Sequence, residues 1–122
     1  MRRFFVLSSV LGVLFTFQSG IAQAGDQDFK LLNRTGYQID EVYVSRSSSR
    51  NWGGDIMGSD ALEDGRSVNI TFNAPDNVCR WDMKVKYNDG DEATWNSLNL
   101  CNISKVTLFW DKKKEVTRAV TE

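Results

Sequence analysis

The residues able to do chemistry in this chain are carboxylates, thiols and indoles. None of the 122 residues is a histidine, so neither a Ser-His-Asp nor a Cys-His relay can form. Cys79 and Cys101 are the two cysteines. Joined as a disulfide, they would close a loop of about 22 residues, which the chain-entropy model values at roughly 3 kcal/mol. The alternatives are free thiols or a soft-metal site, but two cysteines without histidine fall short of zinc's usual four ligands. Asp55, Asp60, Glu63 and Asp64 cluster within Arg50–Gly65. Two carboxylates across a cleft can hydrolyse a glycoside, though turn and capping roles account for the same residues. "NDGDE" sets Asn88, Asp89, Asp91 and Glu92 around a tight turn, a set of hard oxygens suited to calcium. Trp52 offers a stacking platform for a sugar or an aromatic group. With Arg50, Asp55 and Trp95 it makes up the candidate ligand-binding set. No P-loop, dinucleotide fingerprint or EF-hand loop occurs.

These side chains need a scaffold, and the hydrophobic pattern is that of strands. Asp28–Asn33 reads as a first strand, followed by an Arg34-Thr35-Gly36 turn. Tyr37–Ser45 is a second strand whose apolar phase slips, which predicts a β-bulge near Asp40-Glu41. In Arg66–Phe72, Val68, Ile70 and Phe72 share one face. Cys79–Tyr87 alternates throughout, with Trp81, Met83, Val85 and Tyr87 on one side and Arg80, Asp82, Lys84 and Lys86 on the other. Asn88–Asp91 is a hairpin signal. Glu92–Leu100 and Ile103–Trp110 complete about six strands with antiparallel links. The expected fold is all-β: a small antiparallel β-sandwich or open barrel, pinned by Cys79 and Cys101. The tail 111–122 is polar and is expected to fray.

Between the second and third strands, Asp60 and Glu63 resemble a box starting one short helical turn that Gly65 ends. As a crossover, this stretch would plug one end of the core with Trp52 and Leu62, while Asp55 caps backbone N–H groups. As a ligand loop, it would present Trp52.

Residues 1–24 read as a signal peptide. Arg2 and Arg3 precede the apolar run Phe4–Phe17, and Ala22 and Ala24 form the small-x-small cleavage pattern. The apolar core is short for a membrane span. The arginine pair leaves ordinary and twin-arginine export both open. Residues 25–122 are then a single domain. Removing Arg2 and Arg3 from 15 basic residues leaves 13 against 16 acidic, a net charge of about −3, which makes no footprint for nucleic acid. The run Lys112–Lys114 reads as a solvated tail. Three N-x-[ST] triplets begin at Asn33, Asn69 and Asn102.

Four motifs carry a resemblance: Asn33-Arg34-Thr35-Gly36, the W-G-x-D-x-[LM]-G pattern from Trp52, the C-x-W-D-[LM]-x-V strand from Cys79, and the closing Leu100-Cys101. From Asp28 to Trp110 the chain resembles a family of small secreted bacterial proteins of uncharacterised function. Some members carry the label argininosuccinate lyase, an enzyme that is large and mostly helical, unlike this strand-rich chain. The resemblance implies a fold and a compartment, without an activity.

The expectation is a periplasmic or secreted, non-enzymatic monomer with no membrane span in its mature part. It would recognise a protein or glycan partner and require no cofactor. The alternatives are a calcium-stabilised domain using Asp89, Asp91 and Glu92, and a small carboxylate-dependent hydrolase.

Overall fold

A computed structural model describes residues 27–72 and 77–122. The expected signal peptide, 1–24, lies outside the described residues. Seven strands run in order: β1 (Phe29–Arg34), β2 (Ile39–Arg46), β3 (Ser67–Ile70), β4 (Arg80–Tyr87), β5 (Glu92–Asn99), β6 (Lys105–Asp111) and β7 (Val116–Thr121). They form two sheets, β3-β1-β6-β7 and β2-β4-β5, so the fold is an open sandwich and not a closed barrel.

Alternation places the core. Phe29 and Leu31 of β1, Trp81, Met83, Val85 and Tyr87 of β4, and Val106 and Leu108 of β6 are all buried. Each strand turns every second side chain inward, so the two sheets share one apolar interior. The predicted bulge lies where expected, as a register shift between Ile39 and Glu41. The disulfide between Cys79 and Cys101 is formed, with Cα atoms 5.1 Å apart. It ties the start of β4 to the 3₁₀ turn after β5, at the end of the sandwich opposite the Asn88–Asp91 turn. Among the described residues no helix is long and apolar enough to cross a membrane.

Several expectations need correction. β1 and β6 pair in parallel, which is possible because the whole chain between them supplies the long crossover that such a pair requires. The tail does not fray: residues 116–121 form β7, antiparallel to β6 from Val106↔Thr121 to Asp111↔Val116. Lys112–Lys114 is the tip of that hairpin, where Asp111 Oδ1 accepts the N–H groups of Lys113 and Lys114. The helical turn expected at Asp60–Gly65 is replaced by a β-bridge at Leu62 and a tight turn at Asp64-Gly65, where the Arg66 N–H donates to Glu63 C=O. Leu62 is buried, and its N–H and C=O both bond Ile39, an exchange that needs β geometry. Ile56, in the same connection, is 45% exposed.

Candidate functional site

The residues of the candidate ligand set do not form one site. Asp55 works for the fold, as its Oδ1 accepts the N–H groups of Val42 and Met57, both at 2.9 Å. Trp52 does not plug the core. It is half-buried beside Lys84, whose Nζ lies 5.2 Å from its ring centre and 4.9 Å from that of Tyr43. Lys84 belongs to the outward row of β4, so Trp52 covers the outer face of that sheet. Trp95 pairs with Met83 and shares its inward side, on the opposite face from Trp52. Arg50 is exposed in the loop. The outer face also holds Tyr43, whose hydroxyl donates to Glu41. That bond, together with burial and the nearby carboxylates, pushes the Tyr43 phenol up to about 12.

Asp82 has a structural job. Its Oδ1 accepts the Ser97 N–H at 2.9 Å and the Ser47 hydroxyl at 2.7 Å. Ser97 has a φ of 56° at the register shift between β4 and β5, so this carboxylate holds the bulge.

The acidic turn is likewise occupied by its own backbone. Asp89 Oδ1 accepts the Asp91 N–H at 2.9 Å. Among the described residues no three His, Cys, Asp or Glu side chains come together as a metal-holding group. Asp89, Asp91 and Glu92 are therefore not gathered into such a group among the described residues.

The two flanks of the sandwich differ. On one, the connection from β2 to β3 joins the sheets: Ile56 N–H donates to Val42 C=O, Leu62 bridges to Ile39, and Gly65 N–H donates to Asn33 C=O. On the other, β5 and β7 are the edge strands of their sheets. An open groove of about 410 Å³ runs between them, lined by Trp95, Trp110, Glu92, Glu115 and Thr117 among others. The groove leads at one end to a cavity of about 150 Å³, lined by Tyr37, Tyr87, Trp110, Asn88, Asp89 and Asp91.

Three strand ends and their turns build that cavity. Tyr37 follows the Asn33–Gly36 turn, where Gly36 takes a φ of 84° that a side chain would resist. Tyr87 closes β4, and Trp110 lies near the end of β6. Their three rings stand at 84–85° to one another, with centres 6.0–6.5 Å apart. Tyr37 is 52% exposed and Tyr87 is buried. The Tyr87 hydroxyl shares a 2.5 Å hydrogen bond with Thr117 Oγ1 of β7, linking the sheets beneath the cavity. Trp95 was the only member of this cleft in the candidate ligand set. In sequence, Tyr37, Tyr87 and Trp110 look like ordinary strand residues. The available signal was that each aromatic residue sits at a strand end beside a turn.

Burial, the largest cause, raises the Tyr87 pKa above 10.0, against the opposing bond from Thr117. The folded protein therefore holds this proton more tightly than the unfolded chain. That contribution to stability is complete below about pH 10 and is lost as pH rises through the folded pKa. Denaturant midpoints measured from pH 8 to 11 should fall at the alkaline end. Tyr87→Phe should make that fall shallower, leaving the part that the raised Tyr43 phenol contributes, while lowering the midpoint at pH 8 by about 1 kcal/mol equivalent. An unchanged alkaline slope in the variant would remove Tyr87 as the cause.

No family model matches the sequence, and no curated protein does. Among solved structures, an NMR structure of a protein from Eubacterium rectale matches with a TM-score of 0.57 at 14% identity, covering 81% of this chain and 88% of that chain. This likeness shows a shared fold. The motifs behind the resemblance to small secreted bacterial proteins largely fall on fold-forming residues: Asn33 and Gly36 in the turn, Asp55 on the edge of β2, and Asp82 at the bulge.

Proposed function

We propose that the protein is a periplasmic or secreted binding module, without catalytic activity, that receives a protein or glycan partner at its open flank. The observation that carries this reading is the asymmetry of the sandwich. On one flank the chain's own connection bonds across to both sheets, and the depression of about 430 Å³ beside it has no aromatic side chain in its lining. The other presents an aromatic and acidic groove leading into a preformed cavity, the kind of concave surface that ligand sites favour. Export is supported by the leader-like residues 1–24 and by the disulfide, a bond that persists in oxidising compartments. The absence of histidine and the engagement of both cysteines in one bond favour binding over nucleophilic chemistry.

The test is affinity capture from envelope extract with wild type, Trp110→Ala and Trp52→Ala, each checked for folding by its melting curve. Capture should be lost with Trp110→Ala and kept with Trp52→Ala. The reverse pattern would place the site at the connection that presents Trp52, and equal capture by all three would leave neither surface as the binding site.

A further inference from the structure

We propose that the cavity bounded by Tyr37, Tyr87 and Trp110 binds an organic ammonium group of the quaternary type, with Asp89 and Asp91 supplying the compensating charge. This rests on the cleft being the binding site and names the ligand chemistry it selects. Three features converge on that chemistry.

The first is the arrangement of the rings. Their planes are mutually close to perpendicular, and all three line one cavity of about 150 Å³. A ligand there meets the open surfaces of Tyr37 and Trp110, with the largely buried Tyr87 ring at the back of the corner. A sugar stacks best on one broad, flat face. A compact, roughly spherical group suits a corner. The faces of aromatic rings attract cations through their quadrupole. A methylated ammonium keeps its charge and has no N–H group that needs an acceptor among those walls.

The second is charge. Asp89 and Asp91 line the same cavity, and Glu92 and Glu115 line the adjoining groove. An anionic ligand would meet carboxylates along the whole approach, whereas a cation is drawn in. The Asp91 N–H donated to Asp89 and the Tyr87 hydroxyl bond to Thr117 hold parts of the wall in place before any ligand arrives, which lowers the ordering cost of binding.

The third is a contrast within the molecule. On the outer face, Tyr43 and Trp52 already hold the chain's own cation, Lys84 Nζ. Among the described residues, no lysine or arginine lies over the rings of Tyr37, Tyr87 or Trp110.

The experiment is an NMR titration of the purified protein with choline chloride and with its neutral carbon isostere, 3,3-dimethyl-1-butanol, following the Trp110 indole signal. Choline should give a saturable shift, and the alcohol should bind roughly tenfold more weakly. Trp110→Ala, followed through the Tyr37 and Tyr87 ring signals because its own indole is gone, should abolish the shifts that choline induces there in wild type. Trp110→Phe, followed through the Tyr37 and Tyr87 ring signals, should weaken binding and covers the case in which the alanine variant does not fold. Asp89→Asn with Asp91→Asn should weaken choline binding and reduce its salt dependence, and Trp52→Ala should leave binding unchanged. An alcohol that binds as well as choline would make the cavity a plain apolar slot and overturn the proposal. So would choline binding that survives in Trp110→Ala, or the absence of a saturable shift. Failure here with Trp110-dependent capture of an envelope partner intact would refute the ammonium assignment alone, whereas loss of that dependence would refute the cleft itself.

Discussion

Asn33→Asp is expected to destabilise the fold by about 4 kcal/mol at neutral pH, a large part of the roughly 5–15 kcal/mol typical of small domains. Asn33 is 0% exposed, and its amide uses both ends. Nδ2 donates to Tyr37 C=O at 2.8 Å and to Leu62 C=O at 2.9 Å, while Oδ1 accepts from Thr35 N–H at 3.0 Å and Thr35 Oγ1 at 2.7 Å. The backbone of the same residue bonds Arg66 and Gly65. One side chain thus fastens the end of β1, the turn leading to Tyr37 and the connection that joins the sheets. Aspartate would turn an oxygen toward two carbonyls, replacing attraction with repulsion at a buried position.

The sign of the pH effect separates this cause from simple loss of packing. The introduced carboxyl should titrate above its ordinary value, because only its protonated form can donate to a carbonyl there. Its deficit against wild type should therefore shrink as pH falls toward about 4, whereas the deficit of Asn33→Ala should stay constant with pH. Urea midpoints of the three proteins at pH 4 and pH 7 decide the matter, and parallel pH profiles for the two variants would show that the amide contributes bulk and not its hydrogen bonds. The same burial means that the Asn33 triplet cannot accept a glycan in the folded protein.

The sequence is legible where one residue's environment depends on its neighbours two positions away. Cys79–Tyr87 reads correctly because one face of β4 is wet and the other dry, and the bulge at Asp40-Glu41 shows as a phase slip for the same reason. β7 does not stand out because its apolar residues, Val116, Ala119 and Val120, do not alternate and follow the charged run Asp111–Glu115, although four of its six residues are β-branched and favour strands. No local pattern marks the parallel β1–β6 pairing, since it depends on which edges remain after every other strand has paired. The candidate site is the least legible part. Trp52 attracts attention by standing in a loop, but the structure gives its ring to Lys84. Tyr37, Tyr87 and Trp110 look like ordinary core alternation, and only the fold brings their three strand ends together. Their combined chemistry is therefore a property of the topology.

Removing the disulfide should have the second large effect. Cys79→Ala with Cys101→Ala is expected to lower stability by about 3 kcal/mol, because the bond closes the β4–β5 hairpin, a separation of 22 residues, and so restricts the unfolded chain. For a domain of roughly 100 residues this corresponds to a fall in melting temperature of about 12–24 °C. The loss should also have a location. The bond sits beside the Leu100 N–H donated to Cys79 C=O, at the end away from Tyr87 and the Asn88–Asp91 turn. Hydrogen exchange in the variant should therefore accelerate first at Leu100 and Arg80, while amides around the aromatic cavity keep their protection until global unfolding. Choline binding, where present, should persist at temperatures at which the variant remains folded. A loss below about 1 kcal/mol would mean that the apolar interior suffices without the bond, and the compartment would then matter little to the fold. A loss near the expected size ties the stability of the open cleft to an oxidising environment: the end of the sandwich that carries the disulfide would be what keeps the aromatic end assembled.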